Sequence, residues 1–281
     1  FKPQIFHSHH RYTTFLLDLF FKEKGIPILH TQRTQTWNKR FFFRPGDFVA
    51  AVSESLCRHM VDYYHVPENR TRAIVNAVAL KAPDPAAVQM LKQKYPRQPG
   101  QIFALCTGRF HEQKGHVFLI ESLGKLELSY RKRIKIFLAG DGPLETELKR
   151  KILQKNLSEN FIFCGYVPEI SEYLELCDFL ILPSLWEGLP RVILESFSMG
   201  KPAVATDIPG TAEVLEQGKN GLRVRPRNAG DLEKALRSIL DHPEELKKMQ
   251  EGARESSKKY SFVAMVSNYQ RLYQELIKAA P

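Results

Sequence analysis

The sequence predicts an α/β fold made of two doubly wound, Rossmann-like domains. Three observations carry this prediction. Short apolar runs alternate with segments of helical periodicity along most of the 281 residues. A polar stretch with prolines, residues 81–101, separates an earlier alternation from a later one. The hydrophobic content of 43% suits a packed core, and no apolar run approaches the roughly 18 residues that a membrane span needs.

The first third of the chain predicts parallel strands joined by helices. Strands are expected over residues 3–9, 26–32, 47–53 and 72–78, and helices over residues 12–25 and 53–64. Ser53 suits the N-cap of the second helix, and Gly25 suits the end of the first. This β-α-β rhythm favours a parallel sheet.

The later alternation predicts a second parallel sheet of about five strands with crossover helices. Its strands are expected over residues 102–108, 134–140, 161–165, 179–184 and 202–206, followed by the segment "GLRVRP" (residues 221–226). Helices are expected over residues 115–128, 144–155, 169–177, 190–200, 211–217, 229–241, 243–258 and 262–278. The predicted domains are residues 1–82 and 83–261, with a C-terminal helix over residues 262–281.

Charge and cysteine content limit the classes of partner. The net charge is +10, and residues 1–98 supply +8 of it, with 15 Lys and Arg against 7 Asp and Glu. That third therefore favours anionic partners: a phosphorylated ligand, a membrane surface or nucleic acid. No nucleic-acid-binding motif is present.

The four cysteines lack metal-binding spacing and are expected to be buried free thiols in a reducing cytoplasm.

Ligands of open parallel sheets bind at the carboxyl ends of the strands, so the residues that follow each strand are candidates. After residues 102–107 comes "GRFHEQKG", in which Gly108 and Gly115 bracket Arg109 and Lys114 just before a helix. Two cations beside a helix N-terminus suit a diphosphate. The alternative is a pair of solvated basic residues in an ordinary loop.

Two further strand ends carry weaker signals. "GDGP" (residues 140–143) lacks the spacing of a dinucleotide fingerprint, so a tight turn is favoured over ligand contact. Tyr166 and Val167 are candidates for contact with a base through backbone groups and a ring edge. A turn with a half-buried tyrosine explains Tyr166 equally well.

The stretch "LPSLWEGLPRVILESFSMGKP" (residues 182–202) places two acids eight positions apart, Glu187 and Glu195. Gly188, Leu189 and Pro190 form a strand-to-helix junction in which Pro190 suits the first helical position. Glu195 falls on the apolar side of the helix, so we expect a polar partner for it from the cleft. The alternatives are a solvated loop acid at position 187 and a surface acid at position 195. The loop at Asp207, Gly210 and Thr211 is a further candidate for phosphate or sugar.

Taken in order, these segments resemble the group 1 family of retaining glycosyltransferases, which has the two-domain GT-B fold. The resemblance covers about residues 100–225, and Glu187 and Glu195 match the family's Glu-x7-Glu pattern. The first third is similar to the later part of the family's N-terminal domain, although the usual Asn-Gly is replaced by Asn76-Ala77. The family's glycine-containing first loop has no counterpart after Phe1, so we expect this domain to be incomplete and donor binding without transfer to be one outcome.

The resemblance also implies roles for individual residues. Arg109 and Lys114, with Gly108, would bind the diphosphate of a UDP- or GDP-linked sugar, and Glu195 would bind the ribose hydroxyls. Glu187 would bind the transferred sugar, supported by Gly188, Leu189 and Pro190, while Tyr166, Val167 and Gly210 would line the donor. His9 would lie near the sugar, with His7 and His10 as less favoured choices.

The family needs no metal or cofactor, and retention is pictured as front-face attack without an enzyme nucleophile. The implied partners are a nucleotide-sugar donor and a saccharide or glycolipid acceptor, as in polysaccharide or lipopolysaccharide synthesis. The C-terminal helix would cross back to the N-terminal domain. The expected location is the cytoplasm, with peripheral contact at the inner face of the plasma membrane through the basic first third.

Two other functions remain open at this point. Glu187 and Glu195 could form the acid pair of a glycoside hydrolase, which needs carboxyls about 5–9 Å apart; the cations Arg109 and Lys114 argue against it. The chain could also be a non-catalytic binding fragment. "TWNKRFFFR" (residues 36–44) mixes cations and aromatic side chains, so it suits either a lipid surface or a surface loop with a half-buried Phe cluster.

Overall fold

The computed structural model describes residues 2–34, 43–78 and 81–280. The segment 36–44 thus lies largely outside the described residues. The chain forms two compact units. The first comprises Phe1–Ala77, Glu187–Pro190 and Tyr260–Pro281, and the second comprises Val78–Trp186 and Arg191–Lys259. Within the described ranges, no helix combines the length and apolar character that a membrane crossing requires.

A four-stranded parallel sheet organises the first unit, in the order β1-β2-β3-β4. Its strands are β1 (Phe6–Ser8), β2 (Ile28–Gln32), β3 (Phe48–Ala51) and β4 (Thr71–Ala73). Helix α1 (Arg11–Phe21) follows β1, and α2 (Glu54–Asp62) follows β3. The predicted N-cap is confirmed, since the Leu56 amide donates to Ser53 Oγ over 3.2 Å.

The first unit also contains the last helix of the chain, α12 (Phe262–Ala279). Leu272 of this helix is fully buried in the same apolar cluster as four residues near the sheet: Leu29, Phe48, Ala50 and Ile74. Burial of one leucine contributes on the order of 2 kcal/mol. Helix α12 is therefore part of the core of the first unit.

Helix α1 buries two polar side chains and exposes three apolar ones. Thr14 and Asp18 are buried, whereas Tyr12, Leu19 and Phe20 are exposed. Thr14 Oγ1 lies 2.7 Å from His30 Nδ1, so its hydroxyl has a buried partner. The Asp18 carboxylate forms ion pairs with Arg44 and Lys22. These partners explain why the two polar side chains are buried. The remaining apolar residues of the helix are half-buried: Phe15, Leu16, Leu17 and Phe21.

The second unit contains a six-stranded parallel sheet in the order β10-β9-β8-β5-β6-β7. Its strands are β5 (Ile102–Thr107), β6 (Ile134–Ala139), β7 (Phe161–Gly165), β8 (Phe179–Leu182), β9 (Ala203–Thr206) and β10 (Gly221–Val224). The segment that begins at residue 221 thus forms a sixth strand. The chain runs outward from β5 to β7 and then returns to the other side of β5 with β8. The point where strand order reverses lies between β5 and β8, which is where doubly wound sheets bind ligands.

Helices cover this sheet and bury its apolar strands. They are α3 (Pro85–Lys94), α4 (His116–Lys125), α5 (Leu128–Arg131), α6 (Glu145–Gln154), α7 (Ser171–Leu176), α8 (Arg191–Ser198), α9 (Pro209–Ala212), α10 (Ala229–Asp241) and α11 (Pro243–Ser257). The core includes the fully buried rings of Phe103, Phe110, Phe137, Phe179 and Phe197.

Cys57, Cys106 and Cys177 are buried free thiols as expected, and Cys164 is half-buried and free.

Candidate functional site

The loop after β5 places two cations ahead of helix α4. Arg109 is exposed, and Lys114 ends a single 3-10 turn, Glu112–Lys114. A Cβ added at Gly108 would lie 3.2 Å from Lys114 Cε, so the aliphatic part of Lys114 packs over Gly108. Among the described residues, Arg109 forms no ion pair with a carboxylate. The loop therefore presents an exposed guanidinium beside a supported ammonium group.

The "GDGP" loop after β6 supports this cation-bearing loop by close backbone contact. A Cβ at Gly140 would lie 2.2 Å from the carbonyl oxygen of Gly108, so only glycine fits there. The amide of Phe110 also donates to the carbonyl of Asp141 over 2.6 Å. These contacts support the interpretation of "GDGP" as a turn that holds its neighbour.

The loop after β8 is fixed to the same loop from the other side of β5. A Cβ at Gly115 would lie 2.0 Å from the carbonyl oxygen of Pro183. The Leu185 amide donates to the Gln113 carbonyl over 2.7 Å, and Gln113 Nε2 donates to the Trp186 carbonyl over 2.9 Å. Gln113 was not a predicted site residue, because a glutamine in a polar loop is usually solvated. It joins the two loops at the switch point of the sheet.

The strand end after β7 presents an aromatic ring to solvent. Tyr166 is 73% exposed, and Val167 is half-buried. The alternative of a half-buried tyrosine therefore does not describe this residue. The exposed ring leaves its faces and edge available for contact with a ligand.

Glu195 lies on α8 with only 18% of its side chain exposed. Burial raises the pKa of its carboxyl, and Glu169 acts in the same direction, while Arg191 lowers it. Arg191 Nη2 lies 3.5 Å from Glu195 Oε1, one turn earlier on the same helix. The polar partner that the structure gives to Glu195 is thus Arg191 of its own helix.

The segment before α8 belongs to the first unit. It contains Glu187, which is half-exposed, and the buried residues Gly188, Leu189 and Pro190. Helix α8 begins at Arg191, one residue later than predicted, so Pro190 lies immediately before the helix. Gly210 is buried in α9 of the second unit.

His9 and His7 have different surroundings in the first unit. His7 Nδ1 lies 2.6 Å from the Tyr273 hydroxyl, and His7 Nε2 lies 2.7 Å from Thr31 Oγ1. Both ring nitrogens of His7 are therefore engaged. His9 is exposed, and its ring centroid lies 4.2 Å from that of His7. His10 is exposed and precedes α1.

The tautomer of His9 follows from its neighbour. Arg33 Nη2 lies 3.1 Å from His9 Nδ1, and a guanidinium only donates hydrogen bonds, so Nδ1 accepts. The neutral ring then carries its proton on Nε2 and offers an N–H donor. Burial and then Arg33 lower the pKa of His9. Burial, with His9, His30 and Arg33, lowers the pKa of His7 to about 4. Both rings are neutral at neutral pH.

Within residues 2–34, 43–78 and 81–280, no three His, Cys, Asp or Glu side chains are grouped so that they could hold a metal ion. The site residues described above are instead cations, single acids and a neutral imidazole. This donor set suits hydrogen bonding to hydroxyls and phosphates.

Known families and structures match both parts of the chain. The model for "Glycosyl transferases group 1" matches residues 88–256, and that for "Glycosyltransferase Family 4" matches residues 1–82. An uncharacterized glycosyltransferase of Methanocaldococcus jannaschii is 30% identical over 175 residues, which are 62% of this chain and 48% of the relative. The alpha-D-kanosaminyltransferase of Streptomyces kanamyceticus is 31% identical over 190 residues, which are 66% of this chain and 48% of the relative.

The crystal structure of Anabaena HepE in complex with UDP superposes with a TM-score of 0.87 at 18% identity. The match covers 97% of this chain and 79% of HepE. The chain spans about half the length of the curated relatives that it matches. The likeness to HepE shows the fold, two parallel-sheet α/β domains of the GT-B type. Because a family model matches more than half of its residues, the chain belongs to the group 1 glycosyltransferases.

Proposed function

We propose that the protein containing this chain transfers a sugar, with retention, from a UDP-linked donor to a saccharide or glycolipid acceptor. The observation that carries this proposal is the pair of cations, Arg109 and Lys114, at the switch point of the second sheet. Family membership and the UDP complex of HepE support it. Membership of a glycosyltransferase family also favours transfer over glycoside hydrolysis.

The cations would act on the leaving group. In the transfer, the bond between the anomeric carbon and the phosphate oxygen breaks, and negative charge develops on the diphosphate. A guanidinium and an ammonium group held by the fold stabilise that charge where it forms. The acceptor hydroxyl forms the new bond on the same face of the sugar, and its proton passes to the departing phosphate oxygen.

The other residues of the second unit would bind the nucleoside. The half-buried carboxylate of Glu195 would accept hydrogen bonds from both ribose hydroxyls, which is a strong interaction for an ionised acceptor. Tyr166, which is exposed, would contact the base together with Val167. Gly210 would line the donor from α9.

Residues of the first unit are assigned to the transferred sugar. His9 would donate its Nε2–H to a sugar hydroxyl, since its Nδ1 is held by Arg33. Glu187 would accept from another sugar hydroxyl, supported by the backbone from Gly188 to Pro190. Metal independence is part of this proposal, and unchanged donor binding in EDTA is the expected result.

Three exposed apolar residues of α1 support contact between the first unit and a membrane that carries a glycolipid acceptor. Tyr12 is 65% exposed and Phe20 is 66% exposed, and Leu19 lies beside them. Exposed aromatic residues with nearby lysines, here Lys22 and Lys24, are typical of helices that lie at the surface of a bilayer.

Calorimetric titration with UDP and GDP, without added metal, tests the donor assignment. We expect UDP to bind, and we expect Lys114→Ala and Glu195→Ala to weaken binding by about tenfold or more, since each loses a charge-assisted hydrogen bond. Lys234→Ala, at an exposed position of α10, is the matched control and is expected to bind normally. Tighter binding of GDP would overturn the choice of base. A folded sample that binds neither nucleotide would contradict the donor site.

A further inference from the structure

Ser53 contacts the Glu187–Pro190 segment directly. The Ser53 hydroxyl is fully buried and lies 3.1 Å from the carbonyl oxygen of Gly188, 135 positions later. The segment also packs against Arg33, because a Cβ at Gly188 would lie 2.3 Å from the Arg33 carbonyl oxygen. The carbonyl of the peptide after Gly188 is therefore hydrogen-bonded by Ser53, and the close approach of Arg33 leaves room only for glycine at position 188.

The hydrogen bonds of Ser53 Oγ fix the direction of its proton. The oxygen accepts from the Leu56 amide over 3.2 Å and lies 3.1 Å from Ser55 Oγ. A hydroxyl has one proton and two acceptor lone pairs. The carbonyl of Gly188 can only accept, so Ser53 donates its proton there and accepts from Leu56 and Ser55. All three hydrogen-bonding positions of the hydroxyl are then used.

Holding the Gly188 carbonyl also sets the direction of the next amide. In a trans peptide the C=O and the following N–H point in opposite directions. With the carbonyl turned toward Ser53, the N–H of Leu189 points away from it. Among the described residues, this N–H donates no hydrogen bond. An oriented donor of this kind suits an oxygen of a bound ligand.

We propose that Ser53 is a positioning residue that orients the Gly188–Leu189 peptide so that the Leu189 N–H donates to a hydroxyl oxygen of the donor sugar. This inference rests on the proposed function, because it requires a nucleotide-sugar donor. Ser53 makes no contact with the donor in this role. It acts through the peptide, and it therefore affects recognition of the sugar rather than of the nucleotide.

The experiment compares affinity for UDP with affinity for UDP-glucose, UDP-galactose and UDP-N-acetylglucosamine, in the chain and in Ser53→Ala. The probe is the UDP-sugar whose affinity for the unmodified chain exceeds that of UDP by the largest factor. We expect Ser53→Ala to weaken binding of that UDP-sugar about fivefold, the size of one neutral hydrogen bond, and to leave UDP unchanged. Ser53→Thr keeps the hydroxyl and is expected to restore the affinity.

Ser53→Ala also removes the N-cap of α2, so a second N-cap variant is needed as a control. Ser261→Ala removes the N-cap of α12, where Ser261 Oγ accepts from the Ala264 amide over 3.3 Å, and it leaves Gly188 untouched. It is expected to lower thermal stability as Ser53→Ala does, without changing the ratio of the two affinities. An unchanged ratio in Ser53→Ala would overturn the inference alone. Absence of UDP binding in the unmodified chain would instead overturn the proposed function.

Discussion

The phenol oxygen of Tyr273 lies 2.6 Å from Nδ1 of His7, although the residues are 266 positions apart in the chain. The neighbouring Tyr269 hydroxyl lies 3.2 Å from Thr31 Oγ1, which also contacts His7. Two turns of α12 are thus hydrogen-bonded to adjacent strands of the first sheet. The ring of His7 is fixed at both nitrogens, and His9 packs against that fixed ring.

Replacing Tyr273 with phenylalanine should destabilise the first unit. The variant keeps the ring but leaves a partly buried His7 nitrogen without its partner, which costs about 1–2 kcal/mol. Urea unfolding followed by circular dichroism measures this change. Tyr12→Phe is the matched control, because Tyr12 is exposed and should tolerate the loss of its hydroxyl. Equal stability of the two variants would contradict the assigned role of the Tyr273 hydroxyl.

Stability should fall as the pH is lowered from 7 to 5. Burial, with a smaller effect of Lys114, lowers the pKa of His116 to about 4, whereas an unfolded histidine titrates near 6.5. The unfolded chain therefore binds more protons between these values, and stability is lost as the pH falls through this range. For His116 alone the loss at pH 5 is about 2 kcal/mol.

The variant His116→Phe tests the origin of that pH dependence. Among the described residues, neither ring nitrogen of His116 has a hydrogen-bond partner, and its ring packs edge-on against Phe110. Phenylalanine should therefore fit the site and remove one titrating group. We expect a smaller difference in unfolding free energy between pH 7 and pH 5. An identical difference in both proteins would assign the effect to other groups, such as His30, whose pKa burial also lowers to about 4.

Gly115→Ala should destabilise the second unit more than Gly218→Ala does. Both glycines have positive φ, 63° and 74°, so both variants carry the backbone cost of about 1 kcal/mol. Only at Gly115 would the added Cβ also collide with a backbone oxygen, that of Pro183, because the space around Gly218 is open. Thermal unfolding measures the difference. Equal melting temperatures would show that the loops after β5 and β8 can separate at little cost.

Phe20→Glu should reduce binding to vesicles of phosphatidylcholine and phosphatidylglycerol while leaving stability unchanged. The side chain is exposed, so folding loses little, whereas insertion of a charge into the bilayer surface is costly. Co-sedimentation measures the bound fraction. Met90→Glu, at an exposed apolar position of α3 in the second unit, is the control. Equal binding of both variants and the unmodified chain would contradict the proposed membrane contact.

The sequence was sufficient to predict the parallel sheets and the loops that carry the candidate site residues. Buried parallel strands are continuous apolar runs, and the residues after each run fall at the carboxyl edge by geometry alone. The ion pair of Arg191 with Glu195 was also predictable, since residues four apart on a helix are neighbours. The expectation of a partner from the cleft overlooked this local pair.

Other features depend on contacts that no local pattern reveals. Ser53 has an ordinary role as an N-cap, and its second contact, with Gly188, comes from a distant segment. The burial of Thr14 and Asp18 on α1 was equally hidden, because it depends on partners distant in the chain, His30 and Arg44. Polar residues are assigned to the surface by default, and only the tertiary partner reverses that assignment.

The place of α12 has a consequence for biosynthesis. Residues 1–77 are translated before α12, yet Leu272 of α12 completes their apolar cluster. The second unit ends at Lys259, so its internal contacts need no residue of α12. Residues 1–77 are thus expected to remain in an open, protease-sensitive state until α12 has left the ribosome and packs against them.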